Sequence, residues 1–409
     1  MKFYINKNEL FTNTIFFLYI YLTLVANYTI YANMATLVLI GTSAYFSLRK
    51  RKFKFSFYFI LDIIFILYSI WQIDSGVAVY YDVAQTKVNT LIKCLIINWA
   101  VFNFIVLVHD FIRVLRIYVY AVFFGVITLF IIGWRTLLAG RFLLYTSIYF
   151  LGAKADVHSN GVGIVAAIAL IITVYLYIKK NKFRCFMISS VLLACVFLTG
   201  SRKSIVLAAA GVFLLILYLY PRKKLRKMII GGIGILLGLL LLMEVPYLYE
   251  IAGSRIENTI DYFLTGKTKE ASMSTRNRLV ETGIKYIKKR PETGYGLDNF
   301  REITNPSRLY AHNNFIEILF SSGFIGFAIY YSKYILLLFR QRFLKLKKGS
   351  DEYITAKMLL WLFFLFSVLE YWVVTYYERD ILIIHIFILS YLNILKSDKW
   401  MTYDKMPDS

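Results

Sequence analysis

Four short polar stretches in an otherwise apolar chain hold the residue types that can do chemistry. The first is Thr199-Gly200-Ser201-Arg202-Lys203-Ser204, a sharp turn carrying a guanidinium at membrane depth, where charges are costly and functional by default. The plainer alternative is an Arg202 that snorkels to headgroups. The second is Ser274-Thr275-Arg276-Asn277-Arg278. Two arginines beside a helix N-terminus make an anion site, because backbone N–H groups and side chains both favour phosphate. For either arginine alone, an ordinary solvated cap is the alternative. The third is His312-Asn313-Asn314, where a polar loop enters an apolar helix flanked by helix-capping asparagines. Imidazole is the usual general base near neutral pH, and an interfacial hydrogen-bonding histidine fits the position equally. The fourth and weakest is Arg141 followed by Asp156-Val157-His158-Ser159-Asn160-Gly161-Val162-Gly163, another arginine and a polar helix start. The intramembrane acids are Asp62, Glu317 and Glu370; Glu317 stands about one turn below His312, placed to orient it or to pair with an arginine.

Arginine clamps hold a diphosphate and stabilise the charge that grows on it as it leaves, without a divalent ion. A histidine beside them can take the proton from an attacking hydroxyl. The constellation therefore suits transfer of a group from a lipid diphosphate. No Asp-x-Asp pair stands in the early outer loops, and no Walker-type loop, dinucleotide fingerprint or His/Cys metal cluster is present, so neither a metal nor a cofactor is expected. Cys94, Cys185 and Cys195 lie in or beside apolar runs without metal-site spacing, and no disulfide or zinc role is expected of them.

The elements that must position these residues are membrane helices. Of 409 residues, 59% are hydrophobic and 17% charged, against roughly 45–50% and 25% in soluble domains. Spans of about 20 apolar residues are expected near 10–27, 33–48, 56–73, 90–108, 117–133, 159–178, 185–199, 203–220, 228–244, 312–339, 355–374 and 380–395. The fold class is thus an all-α polytopic membrane protein with about twelve transmembrane helices. It reads as a single transmembrane domain over 1–409, with 245–311 as one large extracytoplasmic loop. Lys2 and Lys7 before the first apolar run read as the start of an uncleaved helix. Gly234 and Gly238 give the ninth span one small-xxx-small spacing, a sign of close packing.

The net charge of +23 would suggest nucleic acid in a soluble protein. Here Lys and Arg cluster in every second loop: Arg49 to Lys54, Arg113 to Arg116, Lys179 to Arg184, Arg222 to Lys227 and Arg340 to Lys348. The alternate short loops hold seven: Lys87, Arg135, Arg141, Lys154, Arg202, Lys203 and Arg379. By the positive-inside rule both termini are cytoplasmic, the four polar stretches face outward, and membrane lipids rather than nucleic acid are the partner of the charge. Within the outer segment, Arg278 to Arg290 sets Leu279, Gly283, Ile284 and Ile287 along one helical face, with Lys285, Lys288 and Lys289 mostly off it. This predicts a helix lying in the membrane interface, ended by Pro291 and Gly294-Tyr295-Gly296.

The same segments resemble the O-antigen ligase and polysaccharide polymerase family. Its pattern is similar to Thr199-Gly200-Ser201-Arg202 between two spans, an outer loop with Arg278, Pro291 and Gly294-Tyr295-Gly296-Leu297-Asp298-Asn299-Phe300, then His312-Asn313 and Gly323-Phe324-Ile325-Gly326. The Asn160-Gly161-Val162-Gly163 helix start also looks like the family's, and order and spacing agree from about 135 to 330. The resemblance implies a metal-independent glycosyltransferase of the bacterial inner membrane with its active site outside. Arg202 and Arg278 would hold the undecaprenyl diphosphate of a donor glycan, His312 would assist the acceptor hydroxyl, and transfer would invert the anomeric centre. Arg276 competes with Arg278; Arg278 is favoured because it is read as opening the helix. Arg276, Arg141, Asn313, Asn160 and Glu317 are the further substrate-binding candidates.

A polymerase would add the chain to another lipid-linked repeat unit; a ligase would move it to a different acceptor. A composition rich in Ile, Lys, Tyr and Phe and poor in Pro points to a low-GC, capsule-forming bacterium and leans towards polymerase. A chain-length regulator is a further candidate partner. A lipid-linked oligosaccharide flippase or other transporter is the rival of another class, but it should line a central cavity with charge and often shows inverted repeats. A membrane scaffold leaves the arginine and histidine cluster unexplained.

Overall fold

The apolar runs fold as helices whose ends are set by local capping chemistry. A computed structural model describes residues 7–403 apart from 50, 52, 139–146, 179, 266–270, 306, 343–345, 348 and most of 220–242. Among the described residues, seven helices are long and apolar enough to cross a membrane. This is a membrane protein with several transmembrane helices. Helices coincide with the predicted spans except at 228–244, which lies largely outside the described residues.

The chain divides into two compact units. The first comprises residues 1–45 and 107–267. It holds α1 (Lys7–Val25), most of α2 (Ile30–Arg49), α5 (Phe111–Ile132), α6 (Trp134–Leu138), α7 (Ser159–Tyr177), α8 (Lys182–Leu198), α9 (Arg202–Leu219) and, after a short helical stretch at Pro246–Gly253, α10 (Ser254–Thr265). Asp110 and Asn181 cap α5 and α8 by accepting from the N–H groups of Arg113 and Arg184. At the centre stands α7, buried without a break from Val162 to Val174. Its small residues Gly163, Ala166, Ala167 and Ala169 let α5, α8 and α9 close around it. One feature departs from the all-α expectation: β1 (Ser147–Phe150) and β2 (Ala153–Asp156) form an antiparallel hairpin. Leu151 and Gly152 turn it at positive φ, a two-residue turn too short to stand out from the surrounding hydropathy.

The second unit comprises residues 46–106 and 268–409. It holds α3 (Phe57–Asp74), α4 (Tyr81–Val108), α11 (Ala271–Ile287), α12 (Phe300–Ile303), α13 (Asn314–Arg342), α14 (Asp351–Leu369) and α15 (Arg379–Tyr403). Ser56 and Ser350 cap α3 and α14. Helix α4 starts at Tyr81, well before residue 90, because Gln85, Thr86, Lys87 and Asn89 interrupt the hydropathy but contain no helix breaker. Lys87 is therefore a buried helix residue and not a loop charge.

The main irregularity is in α13. Gly323 takes φ 62°, ψ −169°, so the helix is two segments joined by a break. The backbone groups freed there are satisfied by residues 291–296. Tyr295 and Gly296 N–H donate to the Phe320 and Ser321 carbonyls (3.0 and 2.8 Å), and Phe324 N–H donates to Pro291 (2.8 Å). From α3, Gln72 donates to the Thr293 and Ser321 carbonyls, and Tyr68 donates to Ser322 at 2.9 Å. Irregular backbone is tolerated in a membrane protein where protein groups replace water in this way.

Candidate functional site

In the first unit, the Thr199-to-Arg202 turn joins α8 to α9. Gly200 has φ +59°, and a Cβ there would lie 2.6 Å from the Ile251 carbonyl oxygen. Gly163 of α7 faces the same turn; a Cβ on it would lie 2.5 Å from Ser204 Oγ and 2.6 Å from Thr199 Oγ1. The two glycines thus seat the turn between α7 and the stretch at Pro246–Gly253. Arg202 heads α9, half-buried, above the buried Ser201 and Ser204. The hydroxyls of both serines lack a hydrogen-bond partner among the described residues. Asn160 is exposed in the first turn of α7, and His158 holds its N-cap position without a side-chain capping bond. Arg141 lies outside the described residues.

In the second unit, α11 is already helical at Ala271, so Ser274 to Arg278 lie inside the helix. No glycine or proline stops it from running back past the apparent Ser-Thr cap. This removes both the helix N-terminus as an anion site and the reason for favouring Arg278. The packed face of α11 is Leu279, Gly283 and Ile287, whereas Ile284 is exposed, a correction to the predicted four-residue stripe. Gly283 lets the helix lie on Ile316 and Phe300, which with Tyr295 and Phe320 form one core cluster. At 100° per residue, Arg276 lies close to the line of Gly283 and Arg278 lies far from it. Accordingly Arg276 is half-buried and Arg278 exposed.

The His312 loop is fixed from several sides. His312 has φ 54°, a left-handed conformation unusual for a residue with a Cβ. Its ring lies 4.1 Å, centroid to centroid, from that of Tyr310. Below it, buried Glu317 accepts from the Ala311 N–H through Oε2 at 2.9 Å, so its carboxylate binds the backbone next to the histidine. Asn313 caps α13 by accepting from Ile316 N–H at 3.1 Å. Asn314 instead bridges away, accepting from Thr375 N–H at 2.9 Å and donating to the Tyr331 hydroxyl at 3.0 Å. Tyr310 keeps part of its ring exposed, but desolvation raises the pKa of its hydroxyl, and the Arg276 guanidinium pulls it partly back. Arg276, Tyr310 and His312 thus share one neighbourhood.

Residues 187–331 match the family model described as O-Antigen ligase. The chain carries an O-antigen ligase family domain. No curated protein matches the chain. The O-antigen ligase domain includes Arg202, Arg276, Arg278, His312, Asn313 and Glu317, and excludes Arg141 and Asn160. Its Gly294-to-Phe300 motif is structural in large part: Asn299 accepts from Tyr80 N–H at 2.8 Å at the head of α4, and Phe300 is wholly buried.

Beside this motif the structure adds residues that sequence reasoning missed. Lys87 Nζ lies 3.3 Å from Asp298 Oδ2 and 3.6 Å from the centre of the Tyr377 ring. Arg301 binds the same Asp298 oxygen. The i,i+3 spacing of Asp298 and Arg301 was a readable signal; the approach of Lys87 was not. The remaining acids have partners. Asp62 pairs with Lys333 at 2.7 Å, and Glu370 accepts from Tyr331 (3.0 Å), Thr375 (2.6 Å) and Tyr334.

Proposed function

We propose that this chain is a polysaccharide repeat-unit polymerase: a metal-independent, inverting glycosyltransferase of the outer leaflet. It moves a glycan from undecaprenyl diphosphate to a sugar hydroxyl of another lipid-linked repeat unit. The observation that carries the reading is the shared neighbourhood of Arg276, Tyr310 and His312, above buried Glu317, inside the O-antigen ligase domain. In this reading His312 takes the proton from the acceptor hydroxyl as its oxygen attacks the anomeric carbon. The anomeric carbon–oxygen bond breaks on the opposite face, and the diphosphate leaves with the electron pair. Guanidinium groups stabilise that developing charge. Arg276 takes this role in the second unit, in place of Arg278. Arg202 keeps the diphosphate-binding role that the family resemblance gives it. The family description favours a second reading, a ligase that delivers the glycan to a different acceptor.

The test is a product gel. Purified protein in lipid is given the undecaprenyl-diphosphate repeat unit with chelator present. A ladder of lengthening glycans is expected. No ladder from authentic substrate, with transfer to a non-repeat acceptor instead, would replace polymerase by ligase. No transfer of either kind would overturn the transferase reading.

A further inference from the structure

The left-handed backbone of His312, φ 54°, is one that a residue with a Cβ keeps only where its surroundings over-determine it. On one side, Glu317 holds the Ala311 N–H. On the other, Asn314 is held through three groups. Its N–H donates to the Glu370 carbonyl at 2.8 Å. Its Oδ1 accepts from Thr375 N–H at 2.9 Å, and its Nδ2 donates to the Tyr331 hydroxyl at 3.0 Å. The Glu370 carboxylate closes this circuit. Oε2 accepts from Tyr331 at 3.0 Å, Oε1 accepts from the Thr375 hydroxyl at 2.6 Å, and Tyr334 is a third donor. Asn314, Thr375 and Glu370 are all buried, and every member belongs to the second unit.

The circuit joins three pieces of chain: the start of α13, its second half beyond the break at Gly323, and the connection from α14 to α15. Its hub has to be a carboxylate. An ionised carboxyl group only accepts, which matches three hydroxyl donors, whereas an amide at 370 would leave at least one hydroxyl hydrogen facing an N–H. Stability alone gives little reason to bury a charge here, since well-packed apolar residues serve as well or better. A fully satisfied buried network instead fixes one conformation of the groups it joins. The group at its end is Asn314, two residues from the strained His312.

We infer that Glu370 is a positioning residue: through Tyr331, Thr375 and Asn314 it holds His312 in the left-handed conformation in which it works. This inference rests on the transferase reading for the role of His312, but the anchor itself is tested without turnover. Amide hydrogen exchange is measured on the protein in lipid nanodiscs. Glu370→Gln and Tyr331→Phe both preserve shape and open the circuit at different points. In each, exchange over residues 311–316 is expected to quicken about tenfold, the effect of one lost hydrogen bond, while exchange in α7 stays as in wild type. In turnover, both are expected to lower kcat per folded protein about ten- to a hundredfold, with donor and acceptor KM within about twofold, as for a displaced catalytic group. Asp62→Asn is the comparison for stability alone, because it breaks a buried pair of the same unit, Asp62 to Lys333 at 2.7 Å, that lies outside the circuit. It is expected to lower the thermal midpoint and leave kcat per folded protein within about twofold. Wild-type exchange over 311–316 in both variants would overturn the anchor, and so would a kcat loss that Asp62→Asn reproduces. Faster exchange in both variants of a protein that transfers no glycan would retain the anchor and overturn the transferase reading instead.

Discussion

Arg276 and Arg278 are two residues apart, which is about 200° around a helix, so α11 cannot turn both towards one neighbour. The packed line of Leu279, Gly283 and Ile287 decides between them. Arg276→Ala is expected to lower the initial rate of glycan transfer about 100-fold or more, the usual loss when a positioned charge-stabilising donor is removed. Arg278→Ala is expected to cost less than about fivefold, as a residue outside that charge stabilisation. The reverse order would return the role to Arg278. His312→Ala is expected to abolish product while expression is retained, and wild-type-like polymer from it would exclude the general base. Arg202→Lys is expected to fail in the same gel assay, because a point charge does not replace a bidentate fork. The residue types were legible in the sequence; the choice between the arginines was not. It depends on the chain being helical already at Ala271, so that Ser274-Thr275 imitates a cap inside the helix. Lys87 was misread for a similar reason: its polar surroundings gave the pattern of a loop, while its partner Asp298 is far away in sequence.

At the scale of elements, the break in α13 ties two motifs together. Gly294-Tyr295-Gly296 and Gly323-Phe324-Ile325-Gly326 read as separate turn signals, yet their backbones are hydrogen-bonded through one joint. Close approach requires the glycines: a Cβ on Gly294 would lie 2.5 Å from the Phe320 carbonyl oxygen. Gln72 is the side chain that completes the joint from α3. Gln72→Leu keeps the volume but leaves the Thr293 and Ser321 carbonyls without that donor. It is expected to destabilise the protein by about 1–3 kcal/mol, read as a lower midpoint in a thermal solubility assay in detergent. An unchanged midpoint would mean that water replaces the amide. Hydropathy located the helix but not its break, because Gly323 sits in an apolar run and its unusual φ/ψ is visible only with its partners in place.

For the molecule as a whole, the alternation of basic loops is the most legible feature, since it follows from how charge crosses a bilayer rather than from packing. A reporter active only in the cytoplasm, fused after residue 403, is expected to be active. One active only outside, inserted between residues 266 and 270, is expected to be active as well. Activity of either on the opposite side would reverse the assignment of faces. The hairpin of β1 and β2 and the early start of α4 were hidden from this reading, because both lie in short connecting stretches where average hydropathy says little. The divided α13 also has a consequence for biosynthesis. Its first half cannot be released into lipid as a finished helix, because the Phe320, Ser321 and Ser322 carbonyls need donors from α3 and from residues 291–296. Both donors leave the ribosome before α13 does, so the order of synthesis delivers the joint's parts before the helix that needs them. A permuted gene that makes residues 57–74 last would send that helix into the membrane ahead of Gln72 and Tyr68, and the insertion machinery would have to hold it until they arrived.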